Sequence, residues 1–268
     1  MPKVLTATII LVLVAGVQTA RAQQYGGHTP LPQTTSAPAM RNLAAQREIH
    51  ERFRLGLDAV ARQDWRAAIP EFQRIMAAQP AEPQHSTAAY DLGIAYAGLH
   101  RYDDAAGAFR DAISRDNEFL AAYANLVAVD IERRDLREAR SFADRFVRLA
   151  PQSARALYSR GLLALQSGDL NVAVDDFGKL LEQNPSYAVA HYDLGLAHAR
   201  LNQWTNAERE FSAAVTFAPS YARARFALAT VLLREGRRDE ARAALDATLR
   251  DAADPVLRNL AAALRNSI

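Results

Sequence analysis

Two histidines seven residues apart, His191 and His198, and two adjacent aspartate pairs, Asp103-Asp104 and Asp175-Asp176, are the residues of this 268-residue chain whose types could do chemistry. Paired histidines can share a metal ion, and paired carboxylates can act as general acid and general base. Spacing argues against both. On a helix His191 and His198 lie about 10 Å apart along the axis, too far to ligate one ion. Adjacent residues on a helix diverge, so neither aspartate pair can flank a substrate. Asp103 and Asp104 instead suit a helix N-terminus, where the macrodipole favours negative charge. No serine–histidine–acid set has a recognisable local motif, and no glycine-rich loop follows a strand. The expectation is a chain with no catalytic residue, no metal site and no cofactor.

The elements that would carry any function are helical. Half of the residues are apolar, glycine is sparse, and alanine, leucine and arginine dominate, a composition that favours helix over strand. Before the helices come two other segments. Lys3, the apolar run Val4 to Val17 and the small-x-small end Ala20-Arg21-Ala22 have the form of a secretion signal over 1–22. The run is shorter than the ~20 residues a spanning helix needs, so the alternative of an uncleaved anchor is disfavoured. Cleavage after Ala22 and export to the periplasm or medium are expected, with no stable membrane insertion afterwards. Residues 23–48, opened by QQYGGHTPLPQTTSAPAM, read as a flexible spacer.

The whole chain is formally +2, from 32 basic and 30 acidic side chains. Without Lys3 and Arg21 the count is 30 against 30, so the expected mature chain is formally neutral. Nucleic-acid binding then lacks electrostatic support. Cysteine is absent, which removes disulfides and thiolate metal sites and leaves packing to stabilise the fold.

From Ile49 onward the sequence repeats itself. YDLGIAYAGLHRYDDAAGAF begins at Tyr90, and its near-copy YDLGLAHARLNQWTNAEREF begins at Tyr192. One third of that interval is the step between Pro151, Pro185 and Pro219. Ala139, Ala173, Ala207 and Ala241 keep the same step, as do Gly161 and Gly195. Phe109, Phe177 and Phe211 hold a further register, and Phe72 stands for it in the first copy. Small residues let two helices of a pair approach closely, aromatics are expected to fill the space between pairs, and the prolines end second helices. Copies three and six depart from the pattern. Val127 and Ala229 replace the glycine, while Ala143 and Leu245 replace the aromatic, so these positions read as weak points. AEPQHS carries a three-residue insertion between copies one and two, and Pro70 should bend the second helix of copy one.

These registers resemble the tetratricopeptide repeat, a helix-turn-helix unit with a ~34-residue period. The resemblance implies an all-α, right-handed superhelical solenoid of six repeats over 49–255, at about 49–82, 86–119, 120–153, 154–187, 188–221 and 222–255. A capping helix over 256–268 would cover the last open face.

In this family the first helix of each unit lines a concave groove where partners bind. The resemblance implies that the fifth and ninth residues of the copies form an aromatic-aliphatic stripe: Phe53, Leu57, Tyr90, Ile94, Tyr158, Leu162, Tyr192, Leu196 and Phe226. Asn125 alone keeps an asparagine found in sugar-transferase members. The carboxylate clamp of chaperone-binding members is not matched, since Arg54 and Leu57 stand in copy one and Asp91 in copy two. Arg155, Arg200, Arg223 and Arg234 would give the C-terminal half a basic rim, with Asp193 placed to neutralise Arg223. The functional expectation is a non-enzymatic scaffold that holds a protein or peptide in the groove. Its rivals are a periplasmic accessory factor for envelope, pilus or secretion assembly, and, from another class, the repeat scaffold of an enzyme.

Overall fold

The computed structural model describes residues 37–268, with side chains from residue 40 onward; the signal reading of 1–22 and the first part of the spacer lie outside the described residues. Thirteen α-helices and no strand occur among the described residues. They divide into two compact units, one ending at Ala150 and the other beginning at Pro151. The first holds α1 (Ala37–Ala61), α2 (Trp65–Ala77), α3 (Gln84–Gly98), α4 (Tyr102–Arg115), α5 (Leu120–Glu132) and α6 (Leu136–Leu149). The second holds α7 (Ala154–Ser167), α8 (Leu170–Gln183), α9 (Ala188–Arg200), α10 (Trp204–Phe217), α11 (Ala222–Arg234), α12 (Arg238–Asp251) and α13 (Pro255–Asn266). Within each unit every helix packs chiefly on its neighbours in sequence.

The turn inside each pair is the same in all six copies. A residue with left-handed backbone stands at Gln63, His100, Arg134, Gly168, Asn202 and Gly236. The N–H of the next residue then reaches back five residues, from Asp64 to the Ala59 carbonyl, Arg101 to Tyr96, Asp135 to Asp130, Asp169 to Ala164, Gln203 to His198 and Arg237 to Leu232, at 2.8–2.9 Å. This is the longer bond of a Schellman motif, which satisfies a carbonyl left open at the helix end. Only two of the six left-handed residues are glycine, although a side chain there costs roughly 1–2 kcal/mol. Packing of the helix pair therefore overrides the local preference.

Glycine on the first helix is set against phenylalanine on the second. A Cβ built on Gly56 would lie 2.8 Å from the Phe72 ring, one on Gly93 2.6 Å from Phe109, one on Gly161 2.8 Å from Phe177 and one on Gly195 2.6 Å from Phe211. The phenyl rings thus fill space within a pair rather than only between pairs, as the sequence suggested. In the two departing copies both partners change together: Val127 stands with Ala143, and Ala229 with Leu245. All four side chains are buried. A larger residue on one helix is offset by a smaller one on the other, so these positions are compensated, not weak.

Helix α1 starts at Ala37, so the last twelve residues assigned to the spacer (37–48) are helical. The stretch MRNLAAQREI consists largely of strong helix formers, and Glu48–Arg52 and Glu51–Arg54 pair along the helix at 2.7 and 2.6 Å. Pro70 lies inside α2, which is nevertheless one helix from Trp65 to Ala77. At the C-terminal end α13 has Pro255 in its first turn, and Asp254 accepts a hydrogen bond from the Val256 N–H. Leu257 and Ala261 of α13 are buried with Ala222, Ala252, Ala229 and Leu245.

Candidate protein-binding face

The fifth residue of the copies is a packing element. Each such tyrosine sits between the phenylalanine of its own second helix and an aromatic that precedes the next first helix. Tyr90 lies 5.7 Å from Phe109 and 5.0 Å from Phe119. Tyr158 lies 5.8 Å from Phe177 and 5.9 Å from Tyr187, and Tyr192 lies 5.9 Å from Phe211 and 5.1 Å from Tyr221. Phe53 meets Phe72 at 6.3 Å. Phe53 and Tyr90 are fully buried, and Tyr158 and Tyr192 retain only 7 % and 9 % exposure. The half-exposed tyrosine stripe expected from the sequence is therefore largely a seam between consecutive pairs. The aromatics that close it, Phe119, Tyr187 and Tyr221, stand just ahead of the next first helix and follow the same repeat step. That register is a signal in the sequence by which the seam can be found.

Other expected site residues are similarly placed. Ile94 and Leu162 are buried, while Leu57, Leu196 and Phe226 are half-buried. Asn125 is buried, and its Nδ2 donates to the Tyr90 hydroxyl at 3.2 Å.

The open side of the first helices in the second unit is defined by the ninth residue and the arginine positions rather than by the fifth. At 100° per residue, positions 2, 6, 9 and 13 of a copy fall within about 60° of one another. On α7 these are Arg155, Ser159, Leu162 and Gln166; on α9, Val189, Asp193, Leu196 and Arg200; on α11, Arg223, Ala227, Thr230 and Arg234. Gln166, Arg200, Thr230 and Arg234 are exposed, and Arg155, Val189, Leu196 and Arg223 are half-buried. Ser159, Leu162, Asp193 and Ala227 form a buried floor.

Asp193 is the electrostatic centre of this face. The Tyr158 hydroxyl donates to its Oδ2 at 2.9 Å, while Oδ1 is sealed and accepts no hydrogen bond. Burial pushes the Asp193 carboxyl up to about 7, and the Tyr158 donor opposes that rise. Burial, reinforced by the Asp193 charge, raises the hydroxyls of Tyr158, Tyr187 and Tyr221, and pushes that of Tyr192 up to about 12. Arg155 opposes the rise at Tyr187, and Arg223 and Arg200 oppose it at Tyr192. Asp193 does not neutralise Arg223 by a direct bridge, as its spacing suggested. Arg223 instead lies 3.7 Å from Asp254, and Tyr158 occupies Asp193. Arg200 donates to the Leu165 carbonyl, and Arg234 stacks 4.1 Å above the Trp204 ring.

The groups first considered for chemistry are occupied structurally. The His191 ring nitrogens contact Glu210 at 2.8 Å and the Pro185 carbonyl at 2.9 Å. His198 is buried against Gln203. Asp104 is bridged by Arg101, Asp103 by Arg133, and Asp175 by Lys179. Asp176 is buried and held by both arms of the Arg160 fork at 2.8 and 2.7 Å, joining α7 to α8. Among the described residues no group of three or more histidines and acids could hold a metal, and no helix is long and apolar enough to cross a membrane.

A helix-turn-helix unit iterated six times, at a constant step from the second copy onward and with glycine set against phenylalanine in four of the copies, defines the class. The tetratricopeptide repeat profile matches residues 53–125, 129–188 and 158–222, and a second tetratricopeptide repeat profile matches 202–264. The chain belongs to the tetratricopeptide repeat family. No curated protein matches it. Among solved structures it is similar to a tetratricopeptide repeat protein from Parabacteroides merdae ATCC 43184, at 20 % identity and a TM-score of 0.69, over 82 % of this chain and 89 % of that one. It is also similar to the MamA protein, at 22 % identity and a TM-score of 0.55, over 62 % and 91 % of the two chains. YrrB, described as a tetratricopeptide repeat protein with an unusual peptide-binding site, matches at 16 % identity and a TM-score of 0.54, over 72 % and 97 %. At these identities the likeness concerns the fold.

Proposed function

We propose that this chain is a non-enzymatic scaffold that binds a peptide or protein segment on the first-helix face of its repeats, within the second unit. The observation that carries the reading is the contrast on that face. A sealed floor around Asp193 is bordered by half-buried Leu196 and Val189 and by exposed arginines. The tyrosines expected as anchors instead fix the floor, so the contact surface is the shallower set at positions 2, 9 and 13. A rigid floor with half-open apolar side chains limits the ordering cost of binding. Export through the Lys3 to Ala22 segment, and hence an accessory role in envelope, pilus or secretion assembly, is the cellular setting we propose on the sequence pattern.

Peptides selected from a random display library on the full chain test this reading. Their binding should be lost in Leu196→Asp and retained in Val172→Asp, a change at an exposed position on the second helix α8. Selected peptides that respond only to Val172→Asp would place the binding surface on the second helices.

A further inference from the structure

The first helices of the second unit have a one-sided charge. Helices α7, α9 and α11 carry six arginines (Arg155, Arg160, Arg200, Arg223, Arg225 and Arg234) and a single acid, Asp193. In the first unit α3 and α5 carry Asp91, Asp130 and Glu132 and no lysine or arginine. Net charge does not explain this, because the whole chain is within two charges of neutrality.

Two of the six arginines are absorbed within their own pair. Arg160 is forked onto Asp176, and Arg225 is bound to Asp251. The other four fall into two rows. Arg155 and Arg223 stand at position 2, at the start of α7 and α11; Arg200 and Arg234 stand at position 13, at the end of α9 and α11. Eleven residues separate the rows on a helix, about 16 Å along its axis. Arg155, Arg200 and Arg234 form no ion pair among the described residues, and Arg223 has only the 3.7 Å approach of Asp254. Between the rows lies Leu196, half-buried, over the floor of Leu162 and Ala227. Asp193, the one acid, is sealed beneath the face and held by Tyr158.

We infer that this face takes an acidic amphipathic helix, whose apolar stripe lies on Leu196 and the Leu162 and Ala227 floor beside it and whose flanking carboxylates meet the two arginine rows. The inference rests on the proposed binding face and adds the chemistry of the partner. An α-helix is about 10–12 Å across with its side chains, so one lying across α7, α9 and α11 fits between rows about 16 Å apart. Guanidinium forks bind carboxylates through two parallel hydrogen bonds, and lysine would not reproduce that geometry. Nucleic acid is the other polyanion to consider. The apolar middle of the face and the small number of open guanidinia favour the peptide over a phosphate backbone, which draws its affinity from many basic contacts.

The test uses the full chain and three labelled probes read by fluorescence anisotropy. They are an amphipathic peptide with a leucine stripe flanked by glutamate, the same peptide flanked by lysine, and single-stranded polyuridylate. The glutamate peptide should bind at least tenfold more tightly than the lysine peptide, and should weaken at least tenfold between about 50 and 500 mM salt. Arg200→Glu with Arg234→Glu should reverse the preference, and gain of the lysine peptide would show that the variant is folded. Arg155→Glu with Arg223→Glu, in the opposite row, should do the same. Equal affinity for the two peptides, no binding of the glutamate peptide, or preference for polyuridylate would overturn the inference. Hydrogen exchange separates its failure from that of the binding face. Protection of 188–200 and 222–234 by either peptide regardless of charge leaves the face standing and removes only the acidic partner. Protection confined to the second helices removes both.

Discussion

Changing Gly195 to alanine together with Phe211 to leucine should restore much of the stability that either change removes alone. Alanine at Gly195 gains up to about 1 kcal/mol in helix propensity. Its Cβ would, however, sit 2.6 Å from Cε1 and 2.7 Å from Cδ1 of Phe211, a ring that is 1 % exposed. Such a ring cannot swing into solvent, so it must push its own neighbours, an overpacking cost of roughly 1–3 kcal/mol. The net expectation for Gly195→Ala is a loss of about 1 kcal/mol. Phe211→Leu leaves a partial void, costing less than the roughly 3–5 kcal/mol of truncation to alanine. In the double variant the methyl occupies the space vacated by the ring. Copy six already holds that pair, Ala229 with Leu245, and both are fully buried. A double-mutant cycle from urea unfolding of the three variants should give a favourable coupling of about 1–2 kcal/mol. Strict additivity, or a stabilised Gly195→Ala single variant, would refute the account of glycine as the partner of the ring.

Tyr192→Ala should cost roughly 3–5 kcal/mol of stability by opening the seam between Phe211 and Tyr221; a loss below about 1 kcal/mol in thermal unfolding would return the ring to the binding surface. Tyr158→Phe should cost about 1–3 kcal/mol, since it removes the donor to a buried carboxyl, and a neutral outcome in urea would contradict that. Asp193 should make stability pH-dependent. Its folded value of about 7 stands above the ordinary 3.8, so between the two the folded chain keeps a proton that the unfolded chain has released. Stability should then fall as pH rises through that window, by at most about 4 kcal/mol from this group. Asp193→Asn should remove that component of the slope, and an unchanged slope would count against it. The intact mass of the protein from its native host should correspond to a chain beginning at Gln23; a full-length species would identify residues 1–22 as retained.

The repeat was legible because it is written several times. Pro151, Pro185 and Pro219 alone suggest the period, and glycine, alanine and phenylalanine registers confirm it independently. The site was less legible for a geometric reason. Positions 5 and 9 of a first helix are one turn apart, so both looked equally open, yet position 5 is rotated toward the second helix and buried by the aromatic that begins the next copy. Tyr158 and Tyr187 belong to different registers, and comparing copies within one register does not reveal contacts between two. The exposure of the arginines was easier to anticipate, since a charged side chain at the end of a helix is rarely buried unless paired. Arg155, Arg200, Arg223 and Arg234 all keep solvent contact. Asp193 illustrates the limit: sequence places it near Arg223, but a tyrosine from the preceding copy reaches it first.

The insertion between the first two copies shows where this chain admits extra length. Its additional residues lengthen the link between α2 and α3, which runs over 78–83 where later links between copies have four residues, and start α3 ahead of Ser86. Every turn inside a pair, by contrast, keeps its left-handed residue and five-residue back-bond. Joints of the first kind tolerate change in length; those of the second kind are fixed by the carbonyl they must satisfy. A reporter peptide grafted into a link between copies would leave each helix pair in register, whereas the same graft within a pair would break the turn that closes it. Links between copies are thus natural attachment points for labelling or tethering this scaffold.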